Sequence, residues 1–166
     1  MKTTAKLAAV ILLFCATVSS GVISEGDKFS VTAIHAHLYY QSTGKINPTD
    51  LLDGKAHALW NSIIGEGEAL MPSRALWVLV DLAGPTFAAD FGGRLVVCVT
   101  EGEKILLNQT LLLDDWFSEG QKLVLPFLIY GTGCGELEIT ATLEGLPDAM
   151  VETVTLRKKV PFKCGE

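Results

Sequence analysis

Positive charge is scarce in this chain. Only 13 of 166 residues are Lys or Arg, against 19 Asp or Glu. Two of the 13, Lys2 and Lys6, sit at the extreme N-terminus, in a segment with the features of a leader. Beyond it, 11 basic residues face 19 acidic ones, a net charge of −8. Such a chain is repelled by polyanions, which argues against nucleic acid and anionic membranes as partners. No long apolar run follows the leader, so no membrane span is expected in the mature chain. The motifs of common catalysis are missing too. There is no Gly-x-Ser-x-Gly elbow, no His-Glu-x-x-His pair and no phosphate-binding loop. Gly131-Thr132-Gly133-Cys134-Gly135 is rich in glycine, but its third glycine is misplaced for a nucleotide loop. A strand pattern follows it where a helix would be needed. No catalytic residue, metal ligand or cofactor is assigned.

What is present begins with the leader. After Lys2 and Lys6, Leu7–Phe14 is an apolar run too short to remain in a bilayer. Val18 and Ser20 then suit the −3 and −1 sites of a signal peptidase. Residues 1–20 are expected to be a cleaved signal peptide, and residues 21–166 a single secreted domain, extracellular or periplasmic. Acylation of Cys15 is the competing reading, and the bulky Phe14 directly before it opposes that. A chain of this length buries about 68–70% of its unfolded surface and can build a core.

The mature chain reads as strands. Segments rich in Val, Ile, Leu, Thr and aromatics run over Lys28–Tyr40, Arg74–Leu82, Arg94–Thr100, Lys104–Leu113, Lys122–Tyr130, Gly135–Glu144 and Val151–Val160. The expectation is an all-β fold, a single antiparallel β-sandwich of about seven or eight strands. Glu101-Gly102-Glu103 suits a hairpin tip. Pro126 has no N–H to give a ladder, so its strand is expected at an edge or with a bulge. The exception is the insertion of residues 41–73 between the first and second strands. Asn47 suits a helix N-cap, Pro48 the first helical position and Asp50 the positive end of a helix, so a short helix is expected from 47. A second helical piece is expected over Lys55–Ile64.

Three cysteines remain after the leader: Cys98, Cys134 and Cys164. In an oxidising compartment an odd count allows one internal bridge and one leftover thiol. The last two strands carry complementary alternation. Pairing them so that Glu138 faces Arg157 and Glu136 faces Lys159 puts like with like on both faces. That register brings Cys134 opposite Pro161, three residues from Cys164, and a Cys134–Cys164 disulfide is expected. Cys98 lies mid-strand, where a buried structural thiol is the ordinary reading. The outline resembles immunoglobulin-like and C2-like sandwiches. It departs from true immunoglobulin domains, whose two bridged cysteines lie mid-strand on opposite sheets.

Other residues have the right chemistry for a site. His35 and His37 fall on one side of a strand, two thirds of a metal site if His57 or an acid completes it. Against this stands the plain reading of two histidines on a solvated face. Glu66 and Glu68 flank glycines in an acidic loop, and Asp90, Glu101, Glu103, Asp114 and Asp115 lie at turns. Convergence of several could hold calcium, although acidic turns are usually just solvated. Trp77 is mid-strand and expected in the core. Trp60 and Trp116 lie in connections, where aromatics stack on sugars or proteins if exposed, although core filling is the ordinary role of each. Asn108-Gln109-Thr110 is a glycosylation acceptor in a eukaryotic secretory route. These features favour a non-catalytic exported module that binds a protein or a glycan. The alternatives are a metal-dependent protein or hydrolase built on His35 and His37, and a structural subunit of a surface assembly that uses the Pro126 strand.

Overall fold

The structure is a computed structural model in which residues 28–53, 59–60, 70–84, 87–89, 92–113, 115–117, 122–146, 151–160 and 162–163 are described. Among these residues there are strands and turns and no helix. The leader, residues 1–20, lies outside them. So do His57, Glu66, Glu68, Asp90, Asp114 and Cys164.

Alternation builds two sheets. In β1 (Phe29–Tyr40), Ile34, Ala36, Leu38 and Tyr40 are buried while His35, His37 and Tyr39 alternate outward. β4 (Ala75–Ala83) pairs with it antiparallel, Ala36 opposite Val78 and Leu38 opposite Leu76. β9 (Lys122–Tyr130) pairs with β4 on its other side. β2 (Lys45–Ile46) and β11 (Val151–Thr153) both pair with β1. The second sheet has the order β12, β10, β6, β7, from Thr155–Val160, Leu137–Glu144, Arg94–Glu101 and Lys104–Leu112. Two short pairs complete the set. β3 (Leu59–Trp60) runs beside β13 (Phe162–Lys163), and β5 (Phe87–Ala89) beside β8 (Asp115–Phe117).

Both sheets feed one buried cluster. Leu76, Val78, Val80, Leu82 and Phe127 of the first meet Leu95, Val97, Val99, Leu137, Ile139 and Ala141 of the second. All eleven are 2% exposed or less. Burial at about 25 cal/mol per Å² of apolar surface is the main force holding the layers together. Pro126 lies on β9, the last strand of its sheet, where the ladder does not need its missing N–H.

Four expectations are corrected. First, Val151–Val160 is two strands. The chain leaves the first sheet after Thr153 and joins the second at Thr155, and Leu143 N–H donates to the Val154 carbonyl at the crossing. The β1–β11 pairing is parallel, so the first sheet is not purely antiparallel.

Second, the last two strands pair with a shift of two residues: Glu138 faces Lys159 and Thr142 faces Thr155. A shift of two keeps every side chain on its face, whereas a shift of one would invert them all. The expected charge partners still meet, diagonally. Arg157 Nε is 3.4 Å from Glu138 and Lys159 Nζ is 2.6 Å from Glu136. The crossing strand makes the connection much longer than a tight turn, so the turn does not impose the register.

Third, there is no helix at Asn47–Asp53, and Leu59–Trp60 is extended; the rest of Lys55–Ile64 lies outside the described residues. The Asn47 amide oxygen and the Asp50 carboxylate each accept from the N–H two residues ahead, as a cap would, but the chain turns there without continuing into a helix. Asn47 Oδ1 accepts from Thr49 N–H, and Asp50 Oδ1 from Leu52 N–H. The N–H groups of Asn47 and Leu51 go to the β1 carbonyls of Leu38 and Ala36, so they are not free for a helix. Buried Tyr40 ties both ends of the insertion. Its hydroxyl accepts from Asn47 Nδ2 at 2.8 Å and from Leu70 N–H at 3.0 Å.

Fourth, Trp77 and Cys98 are not core residues. Leu76, Val78, Leu95, Val97 and Val99 are fully buried, which turns Trp77 and Cys98 to the outer faces, where both are half-buried.

Candidate functional site

Loop 47–53 is clamped against β1 by two histidines. His35 Nδ1 lies 2.7 Å from Asp50 Oδ2, and His37 Nδ1 lies 3.0 Å from the Thr49 carbonyl. Carboxylates and carbonyls only accept, so each Nδ1 carries the proton it donates. Asp50 gathers three donors in all. Its Oδ1 takes the N–H of Ala36 at 3.0 Å and of Leu52 at 3.0 Å, and its Oδ2 takes His35. Burial by itself would raise the Asp50 carboxyl. The two backbone N–H groups and the His35 ring outweigh it and hold the group below its ordinary value of 3.8.

On its other side His35 Nε2 faces Asp81 Oδ2 at 3.5 Å. Asp81 is a buried acid on β4, and Lys122 of β9 closes on it at 2.6 Å. The network therefore runs from the loop through β1 and β4 to β9. Asp50–His35 has the form of the acid–base pair that activates a nucleophile. Its free nitrogen points at a second carboxylate, however, and no hydroxyl or thiol bonds it among the described residues. Nor do His35 and His37 assemble a metal centre there. No group of three or more His, Cys, Asp or Glu with suitable geometry exists among the described residues. This arrangement fastens loop 47–53 to β1.

Sequence reasoning gave no role to Asp81 or Lys122 and placed Asp50 on a helix. A signal for Asp81 was present: it is the one charge within the apolar run of β4. Its partners, His35 and Lys122, come from strands 46 and 41 residues away, which alternation cannot identify.

The glycine-rich loop before β10 has a structural explanation. Glu101, at the end of β6, reaches across and accepts the Gly135 N–H at 2.8 Å. A methyl group at Gly133 would overlap the Glu101 carboxylate. Gly131 has positive φ, and its N–H and that of Thr132 both donate to the Arg74 carbonyl. Glu101 is thus a loop cap, and among the described residues it belongs to no group of three or more acids, histidines or cysteines that could hold a metal ion. Cys134 on this loop is disulfide-bonded, and Cys98 is a free thiol. Cys164, its expected partner, lies outside the described residues.

The two outer faces differ in chemistry. Across the second sheet run rows such as Asn108–Cys98–Thr140–Arg157, together with the Glu136 and Glu138 ion pairs. Asn108 itself is exposed. Across the first sheet run His35–Leu79–Pro126 and His37–Trp77–Leu128, with Tyr39 and Tyr130 beyond. The Tyr39 and Trp77 rings lie 6.4 Å apart and tilted by 35°. Tyr130 is 55% exposed and Val124 43%. The side chains of Trp60 and Trp116 are outside the description.

No protein-family model matches the chain, and no curated protein is significantly similar to it. Among the described residues no helix is long and apolar enough to cross a membrane.

Proposed function

We propose that the chain is an exported, non-catalytic binding module with an immunoglobulin-like β-sandwich fold. The outer face of its first sheet takes a protein or a glycan. One observation carries this reading: the contrast between the two outer faces. The outer face of the second sheet carries threonines and ion pairs along its middle strands, with Ile105 and Leu112 exposed on its outermost strand β7. The first presents Tyr39, Trp77, Leu79, Val124, Pro126 and Tyr130 beside the His35–Asp81–Lys122 ion pairs. Exposed apolar and aromatic side chains gathered on one face are a usual mark of an interaction site, and Tyr and Trp contribute most to such interfaces. The strand order, with the last segment crossing from one sheet to the other, supports the sandwich reading.

The test uses two exposed side chains whose loss leaves the core untouched. The chain and its Val124→Ser/Tyr130→Ser variant are compared on an immobilised glycan panel and by proximity labelling of the exported chain in its native host. The expected outcome is a partner for the unaltered chain and at least tenfold weaker capture by the variant. Equal capture, or none by either, removes the proposal.

Export and the sulfur bond belong to the same reading. Residues 1–20 are its leader, and Cys134 bonds to Cys164. Closing a loop of about 30 residues contributes roughly 3–4 kcal/mol on the chain-entropy model. Mass spectrometry of the secreted chain without reduction is expected to find an N-terminus near Gly21 and one linked peptide holding both cysteines. Retention of the leader, or recovery of the two cysteine peptides unlinked, would contradict it.

A further inference from the structure

Beyond the crossing of the last segment, part of β1 has no paired strand among the described residues. β11 pairs with β1 at Phe29 and Ser30 and then departs for the other sheet. Loop 47–53 takes over at Ala36, whose N–H goes to Asp50 and whose carbonyl accepts from Leu51. Between them about 13 Å of strand edge, Val31 to His35, has no strand hydrogen-bonded to it on this side among the described residues, although β12 lies close by in the other sheet. Ala36 directs its N–H and carbonyl away from β4, and the register is regular from Ala33 to Leu38. By the period of two, Ile34 directs its N–H and carbonyl the same way. Neither has a hydrogen-bond partner on that side among the described residues.

A cleft of about 280 Å³ lies along this edge, with Thr32 and Ile34 on one wall and Leu156 and Lys158 of β12 on the other. Lys158 stands opposite buried Ile139, on the core-facing side of its strand, where alternation calls for an apolar residue. It is exposed into the cleft and has no ion-pair or hydrogen-bond partner among the described residues. Two acids line the same cleft. Asp50 is engaged by His35 and two N–H groups, and Asp53 also makes an interaction of its own. The cleft therefore offers an unpaired backbone donor and acceptor at Ile34, itself only 3% exposed, an apolar wall at Leu156 and one uncommitted positive charge.

We propose that this cleft is a strand-acceptor slot that takes an extended segment of a partner protein bearing a carboxylate opposite Lys158. The segment pairs with Ile34 through backbone hydrogen bonds, as in β-strand addition, and its acidic side chain meets the Lys158 ammonium. The site is separate from the aromatic face. It is built on the edge of β1 and the inner side of β12, so either site can exist without the other.

The probe is a set of acetylated, amidated five-residue peptides of alternating Val and Thr, with Glu, Lys or Ala at the centre. Binding to the intact chain is followed by NMR titration and by hydrogen exchange of the Ile34 amide. The Glu peptide is expected to bind at least tenfold more tightly than the Lys peptide and to slow Ile34 exchange at least tenfold. Lys158→Glu is expected to reverse the preference. Lys158 also matches a different device, an inward charge that stops edge strands from pairing between molecules. Under that reading Lys158→Ser self-associates in sedimentation and no peptide protects Ile34, which overturns the proposal. So does protection of Ile34 that is indifferent to the central residue and to Lys158→Glu.

Discussion

Asp50→Ala is expected to destabilise the fold by about 3 kcal/mol at pH 7, a fall of roughly 6–12 °C in Tm. Three donors lose their acceptor at once: the N–H groups of Ala36 and Leu52, and His35 Nδ1. Hydrogen bonds to a charged group are worth about 1.5–3 kcal/mol each, but the Asp50 side chain keeps 20% of its exposure, so water recovers part of the loss. Asp50→Asn separates the contributions. Its amide oxygen can still take both backbone N–H groups on the Oδ1 side, and only the charge and the His35 contact change. A loss of about 1–1.5 kcal/mol is expected for it.

The same residue sets a pH dependence. Its carboxyl lies below 3.8 in the folded chain and near 3.8 in the unfolded one. The unfolded state therefore binds the proton first as pH falls. The stabilisation is fully present well above 3.8 and is lost as the pH drops through the lower folded value. Urea unfolding at pH 7 and at pH 3 measures both effects. The gap between the unaltered chain and Asp50→Ala is expected to narrow at the lower pH. A gap under 0.5 kcal/mol at pH 7, or one that does not narrow, means that the loop is not held by this carboxylate.

Gly145→Ala is expected to cost at least as much, about 3 kcal/mol. Gly145 follows β10 with φ of 75°, a region that costs other residues about 1–2 kcal/mol. An added Cβ would also lie 2.7 Å from the Gly92 carbonyl oxygen. That atom is backbone, so relief requires two chain segments to move apart. Gly102 is the matched control, with φ of 58° at the tip between β6 and β7 and nothing within 4 Å of an added Cβ. Gly102→Ala is expected to cost only the conformational part, about 1 kcal/mol. Thermal melts of the two variants decide the matter. Equal losses would show that the close approach to Gly92 adds nothing.

These two positions also mark how far the sequence is legible. Gly102 sits in a short link between two alternating segments, and its role can be read from neighbours within a few residues. Gly145 looks the same in sequence, but its larger effect comes from Gly92, more than fifty residues away. The same division holds for the histidines. That His35 and His37 share a face is a consequence of the strand period. That one meets Asp50 and Asp81, and the other Thr49, depends on which segments lie beside β1.

By itself the chain determined the extended character of the seven main segments, the buried side of β1, the confinement of Pro126 to an edge or a bulge and the polar outer face of the last two strands. Those are local properties, set by side-chain alternation and by the missing N–H of proline. Tertiary structure alone decided that Asn47 and Asp50 make turns where a helix was expected, that Trp77 faces outward, that the final pairing shifts by two residues and that the last segment divides between sheets. Each depends on competition for the same backbone groups by distant strands. The outcome follows from total burial and hydrogen bonding across both layers, and no window of neighbouring residues contains it.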